Sequence, residues 1–321
     1  MQTRFDKTYK IISNKEVCAQ YFELKVKASK DLVKNCNPGQ FFMLTVPGVF
    51  LRRPLSVHDA KGNEISFLYK IAGKGTKILS KIKSGEIAML GPLGNGYPLT
   101  SELYSGCHPA QSRRVYKFID SATSRRMTSD SIPYSVIVAG GTGIASVYFL
   151  ATKLKNKGTL YYGARSKKDL LCLDKFKKCG WKIIVSTEDG SKGYKGFITE
   201  KLKRECGKWK VGSGIKDKSK PLPRIHASTH PRIHMYVCGP TPMMKEVFKI
   251  AKEKNINGFA SLEEKMACGI GNCQGCAVKI NGQNKMVCKD GPVFRIGDIE
   301  FGVSNNLVFY PSPCAKSQGY K

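Results

Sequence analysis

The 321-residue chain predicts an antiparallel β barrel, then an α/β unit with a parallel sheet, then a small C-terminal unit built around cysteines. Three observations predict this. Residues 7 to 99 read as many short strands broken by Gly, Pro and Asn, with no long helical period. From 135 the texture changes to strands alternating with helices, the pattern of a parallel sheet covered on both faces. Near the end, ACGIGNCQGCAVKINGQNKMVCKDGPVF (267–294) sets Cys268, Cys273, Cys276 and Cys288 among glycines.

In the first part KTYKIISNKEVCAQYFELKVKA alternates, and PGQFFMLTVP, LRRPLSVHDA and NEISFLYKIAG follow before the Gly/Pro-rich exit MLGPLGNGYPL. Residues 100–134 have weak periodicity and much Ser and Arg. They read as a linker or insertion, with a short helical excursion of the second part as the alternative. SVIVAGGTGIASVYFLATKLKNKG is strand, glycine turn and helix; GTLYYGARS and WKIIVSTEDG are further strands; HMYVCGPTPMMKEVFKIAKEK closes with strand, turn and helix. A stretch at about 212–231 interrupts the pattern and reads as a disordered surface loop. The expected division is 1–99, 100–134, 135–256 and 257–321.

A hydrophobic content of 41% is enough for real cores. The formal charge of +30 raises nucleic acid as a partner, but Lys and Arg are spread along the chain without a helix-turn-helix, zinc-finger or RNP pattern. The reading is therefore no nucleic acid, and a surface that meets an acidic protein or phosphate-bearing cofactors. No apolar run reaches the roughly 18 residues of a membrane span. MQTRFDKTYKIISNK has no apolar signal region, so a reducing cytoplasm is expected. There the twelve cysteines would not form a disulfide framework, and those at 18, 36, 107, 172, 179, 206, 238 and 314 read mostly as small buried hydrophobes.

The remaining four are different. C-x4-C-x2-C with a distant fourth cysteine is the plant-type [2Fe–2S] spacing. Four thiolates must converge on two irons, so three come from one tight loop and one from elsewhere. Zinc is the alternative, but it usually takes two close Cys pairs, and here only Cys273 and Cys276 make one. Gly140, Gly141, Thr142 and Gly143 follow an apolar strand and open a helix, where backbone donors suit a pyrophosphate; plain tight packing explains such a turn equally well. Arg53-Pro54-Leu55-Ser56, Leu68-Tyr69-Lys70 and Gly75-Thr76 offer a cation, a hydroxyl and a turn to a phosphate and a flavin ring, or are a basic strand end and a turn. Cys238, before Gly239 and Pro240, is a buried strand-end residue or lies beside a nicotinamide at the sheet's carboxyl edge.

Taken in order, these motifs resemble the ferredoxin-reductase family: R-x-x-S in a flavin barrel, GGTG and CGP in a nucleotide unit. With the C-terminal cluster part, RPLS (53–56), GPLGNGY (91–97), GGTGIA (140–145), EDGSKGYKGFIT (188–199), YVCGPTPMMKEV (236–247), SLEEKMACGIGNCQGC (261–276) and VCKDGPVF (287–294) are similar to the electron-transfer subunits of dihydroorotate dehydrogenase B. The resemblance implies that Arg53 to Ser56, Leu68 to Lys70 and Gly75-Thr76 contact FAD. It also implies that Gly140 to Gly143 and Cys238 to Pro240 line the site for NAD as substrate, and that the four cysteines hold the cluster. It implies an oxidoreductase subunit of pyrimidine (UMP) biosynthesis, relaying electrons from an FMN-containing catalytic partner in a heterotetramer of two of each. The alternatives are the small subunit of a ferredoxin:NADP or sulfide dehydrogenase and an oxygenase-type reductase. NAD against NADP stays open, since Arg165, Ser166 and Lys167 either hold a 2′-phosphate or face water.

Two departures from the wider family stand out. Leu55 replaces the Tyr that would pack on the flavin. Ser146 replaces the usual Pro after GGxGxA, which predicts a looser nucleotide turn.

Overall fold

A computed structural model describes residues 5–99, 134–207, 209 and 233–301. Of the stretch read above as a linker (100–134), residues 100–133 lie outside the described residues, as do the surface loop at about 212–231, Cys107 and Cys314, while Tyr134 begins a strand of the second sheet.

Seven strands form the first sheet: β1 (Phe5–Cys18), β2 (Tyr21–Lys27), β3 (Phe41–Leu44), β4 (Arg53–Ser56), β5 (Asp59–Lys61), β6 (Glu64–Lys70) and β7 (Glu86–Leu93). Their order is β4-β3-β7-β1-β2-β6-β5, and their pairings are antiparallel. Residues 5–10 of β1 pair with β7 and residues 11–18 with β2. The two end strands, β4 and β5, are joined only by Val57 and His58. Val57 N–H donates to Gln40 O and His58 N–H donates to Ser66 O at 2.8 Å, so the chain crosses from one edge to the other. That crossing carries the chain between the two ends of the ladder, and β4 and β5 both remain end strands. Pro54 is tolerated because β4 is an end strand of the ladder. Phe42, Phe67, Leu24, Val26 and Ile65 fill the interior. Two short helices that the strand-like reading did not include, α1 (Lys30–Asn35) and α2 (Lys74–Leu79), lie in this part.

The second sheet contains β8 (Tyr134–Gly140), β9 (Thr159–Ala164), β10 (Lys182–Thr187), β11 (Tyr194–Lys195), β12 (Ile233–Cys238) and β13 (Asn257–Ser261), all parallel. Residues 135–140 are buried without alternation, as expected for a strand covered on both faces. The covering helices are α3 (Ile144–Lys153), α4 (Leu173–Lys178), α5 (Ile198–Cys206) and α6 (Thr241–Glu253). The order β11-β10-β9-β8-β12-β13 reverses direction between β8 and β12, and ligands of open α/β sheets bind at such a switch point.

The C-terminal segment supplies β14 (Ala277–Ile280), β15 (Gln283–Met286), β16 (Val293–Arg295) and β17 (Ile299–Glu300). Strands β15, β14 and β17 make a small antiparallel sheet, whereas β16 adds antiparallel to β13. Residues 257–261 and 293–295, grouped by sequence with the cysteines, therefore hydrogen-bond into the second sheet.

Candidate functional site

A cavity of about 640 Å³ opens between the barrel and the second sheet. Gly140 to Gly143 and the Gly239–Pro240 turn line it from the carboxyl ends of β8 and β12; Tyr21 and Lys70 line it from the barrel. The two turns touch: a Cβ on Gly143 would lie 2.4 Å from Cys238 O, and one on Gly140 would meet Met243 and Pro240. Gly141 is different. It has φ +52°, and a Cβ there would meet nothing within 4 Å, so backbone shape requires this glycine. The turn passes into α3, whose first N–H groups lack intrahelical partners and suit an anion. Close packing, one of the two readings of the sequence, is met at Gly140 and Gly143, and all four residues also line the cavity. Ser146 closes the turn with a buried hydroxyl that donates to Gly143 O at 3.1 Å, a tie that the sequence expectation of a looser turn did not include.

Cys238 is fully buried at the end of β12 and is not part of the cavity wall. Burial, then the neighbouring Glu263, pushes its thiol well above the usual range. Its Sγ lies 3.8 Å from the Glu263 carboxyl, and it is Glu263 that reaches the cavity. Surrounding protein raises the Glu263 pKa above its ordinary value by desolvation. The arrangement places an acid in the cavity and a neutral thiol behind it.

On the barrel, Arg53 lies across Gly75, where a Cβ would collide with the guanidinium. RPLS (53–56) and GKGT (73–76), separate in the sequence, thus meet in space. Arg53 Nη1 donates to Leu51 O, and Thr76 Oγ1 accepts from the N–H of Ala72 and Gly73 at the start of α2. Pro54 and Ser56 are half-buried in β4, and Leu55 packs on the barrel core. Strand alternation divides the triplet 68–70. Lys70 faces the cavity, 3.8 Å from Asp169, and Leu68 packs with the second sheet. Tyr69 points into the barrel, its hydroxyl donating to Asn14 Oδ1 at 3.0 Å. A bound flavin can meet Tyr69 only through its backbone.

The cysteine loop closes on its own sulfurs. The N–H groups of Ile270 and Cys273 donate to Cys268 Sγ at 3.5 and 3.4 Å, and Cys288 N–H donates to Cys276 Sγ at 3.4 Å. Desolvation opposes ionisation of Cys268, yet these donors bring its thiol down to about 6, a thiolate at neutral pH. Burial, then Cys276, pushes Cys288 up to about 12. Among the described residues no three His, Cys, Asp or Glu side chains gather as for a single ion. Two pairs of thiols are what a two-iron centre needs, and the N–H···S donors fit its sulfur ligands. The loop packs on the barrel through Gly269 (φ +73°), where a Cβ would lie 2.6 Å from Met43 Cγ. Asn95 of the barrel exit completes that contact: its amide donates to Asp290 O and Val293 O, and its oxygen accepts from Val293 N–H, at 3.1, 2.9 and 2.9 Å.

Residues 263–300 match the iron–sulfur cluster binding domain of dihydroorotate dehydrogenase B, and residues 137–249 match the oxidoreductase NAD-binding domain. The chain is 34% identical over 290 residues to the dihydroorotate dehydrogenase B (NAD(+)) electron transfer subunit of Clostridium acetobutylicum, covering 89% of this chain and 93% of that one. To the subunit of the same name from Caldanaerobacter subterraneus it is 32% identical, covering 91% and 97%. The chain belongs to the family of dihydroorotate dehydrogenase B electron-transfer subunits. Among solved structures, one reported for flavin-based electron bifurcation, the NADH-dependent reduced ferredoxin-NADP oxidoreductase, aligns with TM-score 0.67 and 26% identity over 94% of this chain and 91% of that one. A Neisseria gonorrhoeae ferredoxin NADP+ reductase with bound FAD and NADP shares the fold, with TM-score 0.52 and 14% identity over 77% and 91%.

The cavity also has residues that sequence reasoning missed. Glu263 lies within SLEEKMACGIG, a stretch used only as a mark of resemblance. Glu188 and Phe197 lie within EDGSKGYKGFIT and line the cavity; Phe197 is 60% exposed, an apolar face open to a ring. Arg165 lines the cavity as well. Ser166, by contrast, hydrogen-bonds Asp169 at 3.0 Å, and the Lys167 N–H is taken by Ser191. Among the described residues no helix is long and apolar enough to cross a membrane.

Proposed function

We propose that this chain is the electron-transfer subunit of a dihydroorotate dehydrogenase B. It passes electrons from the FMN of a catalytic partner through [2Fe–2S] and FAD to NAD+, in pyrimidine (UMP) biosynthesis. The observation that carries the reading is that a segment matching a cluster-binding domain and a cavity lined by two glycine turns flank one barrel. A flavin supplies the link, since flavins exchange both single electrons and hydride.

The chain's own residues have distinct tasks in this reading. Arg53, held against Gly75, offers a guanidinium to the flavin phosphates, and Ser56, Leu68 to Lys70 and Thr76 border the same ligand. The N–H groups of Gly141 to Gly143 receive the dinucleotide pyrophosphate. Gly239 and Pro240 bound the nicotinamide, with Cys238 behind them as support and Glu263 as the acid within reach. Cys268, Cys273, Cys276 and Cys288 hold the cluster. The division into a flavin part (1–99), a nucleotide part (135–256, with 257–261 and 293–295 added to its sheet) and a cluster part (the rest of 257–321) belongs to the proposal, as do a cytoplasmic location and a heterotetramer of two of each chain.

Similarity to the ferredoxin-NADP oxidoreductase structure supports a second reading, a small subunit of that class. Purification with the native partner separates the two. The first reading expects a partner carrying FMN that oxidises dihydroorotate, with FAD and about two irons on this chain. A partner carrying FAD and further iron–sulfur clusters would overturn it.

A further inference from the structure

We infer that His58 is a positioning residue for hydride exchange: from the barrel, it fixes the first turn of α3, and with it the glycine turn, over the flavin side of the cavity. The inference rests on reading the cavity as the nicotinamide dinucleotide site.

His58 is fully buried at the crossing from β4 to β5, with its backbone N–H held by Ser66 O. Its ring leaves the barrel. Nδ1 lies 3.0 Å from Ala145 O, two residues beyond Gly143. A carbonyl only accepts, so Nδ1 carries the proton. Nε2 then offers its lone pair to the Cys172 thiol, with Sγ 3.8 Å away. The ring also stacks on Tyr148 of α3, centroids 4.7 Å apart. Phe149 of the same helix is buried in the barrel core.

Cys172 ends a loop that serves the same glycine turn from the other side. Within it, Asp169 accepts from Tyr21 OH at 3.1 Å and faces Lys70, both on the barrel. The Tyr162 phenol lies 3.1 Å from both Asp169 O and Gly141 O. One barrel imidazole thus touches both segments that bound the glycine turn. Apolar packing would fill the space, but a directed hydrogen bond at Ala145 fixes where the helix start sits along its axis. Burial, then Lys175, lowers the His58 pKa to about 4, against smaller opposing effects from Ala145 O and Glu23. The ring is therefore neutral at physiological pH and the donor stays in place. A nicotinamide misplaced by about 1 Å can cost on the order of a hundredfold in rate.

The test uses the full chain loaded with FAD and cluster, comparing parent, His58→Leu and His58→Asn, because Asn keeps an amide donor near the place of Nδ1. With flavin and iron content unchanged, Leu is expected to raise the KM for NADH and lower kcat with ferricyanide, together by about tenfold or more. Asn is expected to recover most of the loss. Leu kinetics equal to the parent, or Asn no better than Leu, would overturn the inference. Nitrogen-15 NMR of the parent reads the ring without any variant. The expected signal is a neutral, Nδ1-protonated imidazole that does not titrate between about pH 6 and 8; an Nε2-protonated or titrating ring would overturn it. A parent with no NADH–ferricyanide activity would instead count against the nucleotide reading, while the NMR result still decides the role of His58.

Discussion

Residues 140–143 and 268–276 are both glycine-rich turns, and they aim their backbone donors in opposite directions. The first leaves open space beside Gly141 and presents the start of α3 to the cavity. The second turns the N–H groups of Ile270 and Cys273 back on a sulfur of its own loop. A turn that serves an exchangeable ligand keeps its donors open; a turn that holds a resident group supplies its own ligands and their second contacts. The two should therefore fail differently when altered.

The largest expected effect is at the cysteine loop. Cys273→Ser should reduce bound iron from about two per chain to near zero, while Cys179→Ser, outside the loop, keeps it; colorimetric iron analysis reads both. At the other turn, Gly143→Ala brings a Cβ against Cys238 O. NAD+ affinity should fall by about tenfold or more, since such a clash forces the backbone to shift, while iron and flavin stay bound. A titration that finds parental affinity would remove the difference drawn between the turns.

Between the two lies the barrel. Arg53→Ala should weaken FAD retention by roughly 1.5–3 kcal/mol, the worth of a charge-assisted phosphate contact. Flavin release on dilution measures it, and unchanged retention would show that Arg53 serves another purpose. Asn95→Ala removes three hydrogen bonds to 290–293 and should lower stability by about 1–3 kcal/mol. Iron should then be lost at a lower temperature than flavin; loss of both together would mean that the cluster segment is not separately anchored.

The smallest effect is a pH dependence. Glu263 holds its proton more tightly in the folded chain than in the unfolded one, so the folded state binds more protons. Stability should fall as pH rises from the unfolded carboxylate value through the raised folded value. Glu263→Gln should flatten that decline, read as the melting temperature across the window; an unchanged slope would assign the dependence to another group.

How much the sequence disclosed follows the same contrast. Cysteine spacing singled out four candidate ligands for a resident group, because four thiolates on two irons constrain that spacing strongly. The glycine turn gained meaning only beside CGP and RPLS, since the strand order that brings Gly143 onto Cys238 is not local information. Leu68 to Lys70, read as one unit, divides by strand alternation into two residues toward the second sheet and one into the barrel core. Adjacent Glu263 and Glu264 look alike in sequence; only the exit from β13 decides which one meets the cavity. β13 and β16 were grouped with the cysteines because sequence order does not reveal that a strand returns to an earlier sheet.

The central claim is that this chain relays electrons and does not itself act on the pyrimidine. Among the described residues the cavity is lined by the glycine turn and by Gly239 and Pro240 beside it, the setting a dinucleotide would need. The direct measurement is reconstituted turnover. Alone, the loaded chain should reduce ferricyanide with NADH and leave dihydroorotate untouched; mixed with the FMN-containing catalytic subunit of the same cell, it should give NAD+-dependent orotate formation that Cys273→Ser abolishes. Dihydroorotate oxidation by this chain alone, or coupled turnover that survives loss of the cluster, would contradict the account.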